Sequence, residues 1–206
     1  VAFCLILVGG SLWIVRCRGQ VPDDEVGDIV RRYRGRLGPA HGWLLVGGEK
    51  MSKSKLTGIA PEQITDHFGA DAFRYYFLSA IPFGHDGSFS WEHMSAVYTS
   101  ELANGLGNLA SRVAAMVGKY FEGSLPAATA DGDAERALAE ALATAVAGAD
   151  AAMAELRFHD GLAAVRGFVE AVNGYVTAQE PWKVAKDETQ RDRLATILYS
   201  AADSLR

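Results

Sequence analysis

Gly48-Glu49-Lys50-Met51-Ser52-Lys53-Ser54-Lys55 is the stretch whose reading decides how this chain folds. Three lysines and two serines fall within six residues, directly behind the apolar run Trp43-Leu44-Leu45-Val46. Three like charges so close repel one another, so core packing does not explain them. Gly47, Gly48 and Gly58 flank the run and let the backbone move or approach a ligand closely. Lysine is a compact charge on a flexible stem, and serine hydroxyls add donors, a set that suits a polyphosphate. The same residues also suit a solvated basic loop. Charge alone leaves both readings open.

Composition narrows the field around that stretch. A chain of 206 residues accommodates one or two domains and buries roughly 70 % of its unfolded surface. With 49 % apolar and 22 % charged residues it is globular. The net charge of −5 excludes a general nucleic-acid coat, so any such role needs local basic groups. Cys4 and Cys17 are the only cysteines. Their spacing forms neither a zinc site nor a disulfide framework, and a reduced, cytoplasmic setting is expected.

Upstream, residues 1–15 are an apolar run closed by Arg16 and Arg18. The run is shorter than the ~20 residues that span a bilayer and lacks the start and cleavage site of a secretory signal. It reads either as a strand pair turning at Gly9-Gly10 or as a membrane-surface anchor. Residues 19–40 carry no motif.

Downstream, Gly42 to Val46 reads as a short buried strand leading into the lysine loop. Pro61 and Glu62 open a helix that stops at Gly69. A second helix, Ala70 to Ser79, puts Phe73, Tyr76 and Phe77 on one face. Pro82 to Gly87 is a turn-rich loop. Ser90 caps the longest periodic segment, Met94 to Tyr120, with Gly105 and Gly107 placed to bend it. Along it Asn104, Asn108 and Arg112 stack at intervals of four, either as a solvated face or as groups that read base edges. A helix from Asp133 to Leu156 is expected to turn Leu138, Leu142, Val146 and Met153 inward. His159-Asp160-Gly161 is expected to punctuate the chain and Asp160 to cap a helix burying Leu162, Val165, Val169 and Val172. Glu180-Pro181-Trp182-Lys183 holds an aromatic just after a helix stop, either core or a rigid stacking face. A last helix starts near Asp187, and the domain is expected to continue past Arg206.

Residues 41–206 resemble the C-terminal half of a bacterial methionyl-tRNA synthetase. Lys50-Met51-Ser52-Lys53-Ser54 matches the ATP loop of class I aminoacyl-tRNA synthetases letter for letter. Four further stretches follow in family order: Phe68 to Tyr76, Pro82 to Ser90, Asn108-Leu109-Ala110-Ser111-Arg112, and Pro181-Trp182. The resemblance implies a mainly α fold. Residues 41–90 would close a Rossmann-type catalytic domain and form the stem-contact fold, and residues 91–206 would be a helical-bundle anticodon-binding domain, incomplete at its C-terminus. It implies that Lys50, Met51, Ser52, Lys53 and Ser54 close over ATP with its Mg2+, and that Lys50 and Lys53 play the catalytic part of stabilising phosphate charge while methionine's carboxylate attacks the α-phosphate. It implies that Asn108, Arg112, Pro181 and Trp182 hold the CAU anticodon of tRNA-Met.

The departures are as definite. The family's His-Ile-Gly-His motif, its methionine pocket and its zinc knuckle have no counterpart in this sequence, and residues 1–40 do not match. A truncated ligase without independent methionine activation is therefore expected, with a stand-alone anticodon-binding module as the alternative. No metal site and no membrane partner are expected.

Overall fold

The computed structural model describes residues 3–8, 11–16, 42–50, 58–82, 84–125, 127–128 and 132–206. They form two units, Val1–Ser95 with Leu156–His159, and Ala96–Glu155 with Asp160–Arg206.

In the first unit, β1 (Phe3–Val8) and β2 (Ser11–Arg16) pair antiparallel, from Phe3 against Arg16 to Val8 against Ser11. This is the strand pair expected of the apolar run, and its Gly9-Gly10 turn lies outside the described residues. A separate three-stranded sheet has β3 (Leu44–Val46) at its centre. Gly47 and Gly48, at φ 61° and 81°, turn the chain back into β4 (Glu49–Lys50), which pairs antiparallel with β3. β5 (Gly87–Phe89) pairs with β3 in parallel on the other side. The expected strand is thus present but starts at Leu44 and is half-buried. A three-residue strand such as β5 is too short to show alternation against the loop before it.

α1 (Pro61–Phe68) stops at Gly69, and α2 (Ala70–Ser79) follows at once, both with the expected limits. Gln63 Oε1 accepts from the Ala60 amide, satisfying a donor that the helix start leaves open. Tyr76 is fully buried, edge-on to Phe89 at 5.7 Å, and Phe77 stacks on Phe89 at 5.9 Å. Met94 of α3 (Trp91–Val97) is buried as well, and the α3 start is capped by Ser90 Oγ accepting from the His93 amide at 3.1 Å.

The second unit is helical. The long periodic segment is not one α-helix: Tyr98–Gly107 is π-helical, and α4 resumes at Asn108–Phe121. The glycines expected to bend the helix lie inside the widened stretch, where Leu106 is left 44 % exposed. α5 (Asp133–Ala154), α6 (Phe158–Gln179), the short α7 (Pro181–Val184), a 3-10 turn at Glu188–Gln190 and α8 (Arg191–Asp203) complete the unit. Leu109 and Val113 of α4, Leu138 of α5, Phe168, Val172, Tyr175 and Val176 of α6, and Ile197 and Ala201 of α8 form one core. By length and composition α5 is apolar enough to cross a membrane, and its Leu138 belongs to this core.

Two expectations about α5 and α6 are corrected here. Leu142 and Val146 do not point inward, being 42 % and 51 % exposed, and Met153 is 37 % exposed although its side chain reaches Gly161. Besides Leu138, it is the small residues Ala134, Ala141 and Ala145 that pack on the core, and Ala152 is buried. Small residues let helices approach closely, and a Cβ on Gly161 would lie 2.8 Å from Met153 Cε and 3.5 Å from the Ala149 carbonyl. Gly161 is therefore a packing glycine inside α6, not a stop, and Asp160 lies in the helix's first turn, two residues past its start at Phe158. The buried face of α6 accordingly runs through Phe168, Val172, Tyr175 and Val176, while Val165 is 47 % exposed.

Candidate functional site

The two groups of residues that the sequence singles out lie in different units. In the first unit, Lys50 ends β4 opposite Leu45, so the loop leaves directly from the sheet. Met51, Ser52, Lys53 and Ser54 lie outside the described residues. What the structure explains is the frame behind the loop. The Trp43 amide donates to Asp86 Oδ1 at 2.6 Å, and the Gly87 amide donates to the Trp43 carbonyl at 2.8 Å. A Cβ on Gly42 would sit 2.4 Å from the His85 carbonyl carbon, so only glycine permits this approach. Gly42-Trp43 and His85-Asp86-Gly87, far apart in the sequence, thus meet in one contact that sets the register of β3 beside β5. Tyr76 adds a brace, its hydroxyl 2.8 Å from His93 Nδ1, and burial raises its pKa.

In the second unit, α4 turns Leu109 and Val113 into the core, which leaves Asn108 exposed and Arg112 half-buried on the outer side, one turn apart. Asn104 lies in the π-helical stretch, so it does not continue their stripe with α-helical spacing. That stretch is braced from α6: Arg166 Nη1 pairs with Glu101 Oε2 at 3.0 Å, and Asn173 Nδ2 donates to the Gly105 carbonyl at 3.4 Å.

The far end of α6 supplies the other half of the site. The helix stops at Glu180, whose φ of 44° and ψ of 53° are left-handed. For a residue with a Cβ this backbone costs about 1–2 kcal/mol, and the following proline disfavours helical conformations at the same position. Pro181 is buried and opens α7, and Trp182 emerges beside it, 37 % exposed. The Arg112 guanidinium lies 5.9 Å from the centroid of the Trp182 ring, within cation–π range. Glu180 Oε1 and Lys183 Nζ are 2.7 Å apart across Pro181-Trp182. The fold therefore brings Arg112 and Trp182 together, with Asn108 one turn of α4 away. Pro181 is buried support, not an accessible surface. This corner offers two hydrogen-bonding side chains beside an aromatic face, a set suited to an unpaired nucleotide base.

The left-handed turn at Glu180 and the Arg166 and Asn173 braces have no signal in the sequence. A left-handed glutamate carries no composition signal, and long-range pairs have no spacing to detect. A further network supports the core near the start of α5. Glu135 is 6 % exposed and accepts from the Tyr175 hydroxyl at 2.5 Å, the Gly132 amide at 2.9 Å and Arg193 Nη1 at 2.9 Å. Burial alone would raise its carboxyl pKa, but these bonds and the charge of Arg193 outweigh burial and hold it below the usual carboxylate range. Burial, then the bond to Glu135, pushes the Tyr175 phenol up. Among the described residues no cluster of three His, Cys, Asp or Glu side chains is placed to hold a metal ion.

Residues 37–114 match the family model described as tRNA synthetases class I (M), and residues 125–200 match the anticodon binding domain of methionyl tRNA ligase. The chain is 68 % identical over 170 residues to a methionine–tRNA ligase of Streptomyces coelicolor, covering 81 % of this chain and 32 % of that protein. It is 41 % identical over 166 residues to the methionine–tRNA ligase of Caldanaerobacter subterraneus, covering 81 % of this chain and 26 % of the relative. Among solved structures, Mycobacterium tuberculosis methionyl-tRNA synthetase in complex with methionyl-adenylate superposes with a TM-score of 0.77 at 34 % identity, over 81 % of this chain and 33 % of that one. The chain thus spans about a third or less of the length of these relatives.

Proposed function

Residues 37–200 belong to the methionyl-tRNA synthetase family, and from that premise we propose that this chain is the tRNA-reading portion of an ATP-dependent methionine–tRNA ligase. In this reading residues 91–206 hold the anticodon of tRNA-Met in the cytoplasm, and residues 41–90 close the catalytic domain and carry its lysine loop. The observation that carries it is the Arg112–Trp182 pairing, in which two signatures far apart in the chain meet at one exposed corner. Arg112 and Asn108 take the hydrogen-bonding edges of loop bases, and Trp182 gives one of them a stacking face, each contact worth ~1–3 kcal/mol. Pro181 fixes the ring's exit angle from beneath.

The lysine loop contributes differently. Its donors, the ammonium groups of Lys50 and Lys53 and the hydroxyls of Ser52 and Ser54, fit a triphosphate. ATP with its Mg2+, when bound, supplies the activated phosphorus for methionine. Lys50 and Lys53, Lys53 foremost, neutralise charge on its phosphates, and Met51 spaces them. In this reading the loop closes over the bound nucleotide.

A second reading, a stand-alone anticodon-binding module, is favoured by the self-contained core of the second unit. Both readings predict that the 206-residue chain binds an RNA hairpin with a CAU loop about tenfold or more tighter than one with the first loop base changed. Equal affinity for the two hairpins overturns both. Methionine-dependent ATP–pyrophosphate exchange separates them. It stays at background for the chain alone in either case. When the catalytic portion of the Streptomyces coelicolor relative is fused ahead of residue 41, exchange appears only if this chain's lysine loop is functional.

A further inference from the structure

We infer that Glu180 is a positioning residue for the RNA-facing corner: its left-handed backbone and its ion pair with Lys183 clasp Pro181-Trp182 and hold the Trp182 ring against Arg112. This rests on the anticodon-binding reading for its purpose, but its geometry is independent of it.

Three described residues other than glycine have positive φ: Glu122, Leu156 and Glu180. Each follows a helix end. Glu122 runs into Gly123, which shares the turn at φ 85°, and Leu156 sits in a turn before α6. Glu180 alone of the three passes without a spacer into a new helix, and that helix opens on proline. It therefore works against two local preferences at once, chirality and the extended bias of the residue before a proline. Glycine would relieve the first at no steric cost. What glutamate gains is the bond to Lys183, yet both side chains are well exposed, 42 % and 63 %, and exposed pairs add little to stability. The fold is thus no more stable for having glutamate here, and a residue kept in strain that stability does not reward points to function.

The geometry supplies that function. The Glu180 carbonyl accepts from the Lys183 and Val184 amides at 2.7 and 3.2 Å, so the backbone closes α7 around Trp182. The side-chain bond closes the same arc from outside. Buried Pro181 is the floor. With both ends of the arc fixed, the ring has one direction in which to emerge, and Arg112 lies on that side.

The test uses the full chain labelled with 5-fluorotryptophan, the Trp182 resonance being assigned among the four tryptophans with Trp182→Phe. Glu180→Gly should leave the unfolding midpoint unchanged or raised, move or broaden the Trp182 resonance, and weaken binding to the CAU hairpin about three- to tenfold. Glu180→Lys and Lys183→Glu should each move the resonance, and the double exchange should return it to its original position, which a purely structural loss would not do. A Trp182 resonance that coincides with wild type in both Glu180→Gly and Lys183→Glu overturns the clasp, whether or not the hairpin binds. A resonance that moves and is restored, in a chain that binds no hairpin, upholds the clasp and removes the anticodon reading instead.

Discussion

The lysine loop and the Arg112–Trp182 corner put their chemistry in opposite places. Between Gly47 and Lys55 everything that matters is consecutive: charges, hydroxyls and glycines follow one another in the chain. At the corner, Asn108 and Arg112 come from α4 and Trp182 from α7, and only folding brings them together. The difference has a physical reason. A loop proposed to bind a polyphosphate needs clustered charge and backbone freedom, both set by local sequence. A surface proposed to read a base needs fixed directions, and here direction comes from packed helices, a buried proline and a strained turn. The loop is therefore loud in sequence, and the corner is quiet until the helices are assembled.

Swapping the perturbations between the two regions tests this division. The largest effect is expected at the loop. In the chimera carrying the Streptomyces coelicolor catalytic portion, Lys53→Ala should lower methionine-dependent exchange by ~10²–10³, the usual loss on removing one charge-stabilising donor. Hairpin affinity should stay within about twofold, because in the proposed reading the loop and the corner serve different ligands. A comparable loss in hairpin affinity would break the distinction.

The corner should respond in reverse. Trp182→Ala removes the stacking face and should weaken CAU-hairpin binding by about 5- to 150-fold, equivalent to ~1–3 kcal/mol. Arg112→Ala should do the same, and the double variant should lose less than the product of the two, since each side chain orders the other. Strict additivity would mean that the 5.9 Å approach has no energetic content. Exchange in the chimera, measured without tRNA, should be unchanged.

How much of this was legible depends on the range of the interaction. α1 and α2 were readable to the residue because Pro61, Gly69 and the aromatic spacing are local signals. Asn108, Arg112, Pro181 and Trp182 were readable as a set only through likeness to a family, since nothing in their spacing joins them. The face of α5 was misread because larger apolar side chains normally win the core. Here alanines take the core face and leave Leu142 and Val146 exposed, while Gly161 makes room for the Met153 side chain. The π-helical stretch was missed for a similar reason: its bracing comes from Arg166 and Asn173, far along the chain.

The last expected effect falls on stability, with no direct part in binding, and concerns what keeps the corner's helices in place and not the corner itself. Glu135, at the start of α5, joins Tyr175 of α6 and Arg193 of α8 in a nearly closed network, its side chain 4 % exposed. Glu135→Gln keeps the shape but removes the charge from bonds worth ~1.5–3 kcal/mol together with their partners, and denaturant unfolding at neutral pH should record a loss of that order. The pH dependence carries the sign. Glu135 has a folded pKa below its unfolded value, so its stabilisation is complete above the ordinary carboxylate range and drains away as pH falls through the folded value. Tyr175 is shifted the other way, so its share is complete below about pH 10 and lost above. Wild type and variant should therefore differ most between these limits and converge in acid, as protonation does to the wild type what the substitution has already done. A gap that stays constant down to pH 3 would mean that Glu135 stabilises the bundle by shape alone, and that the directions in which α6 and α8 present their ends owe nothing to this charge.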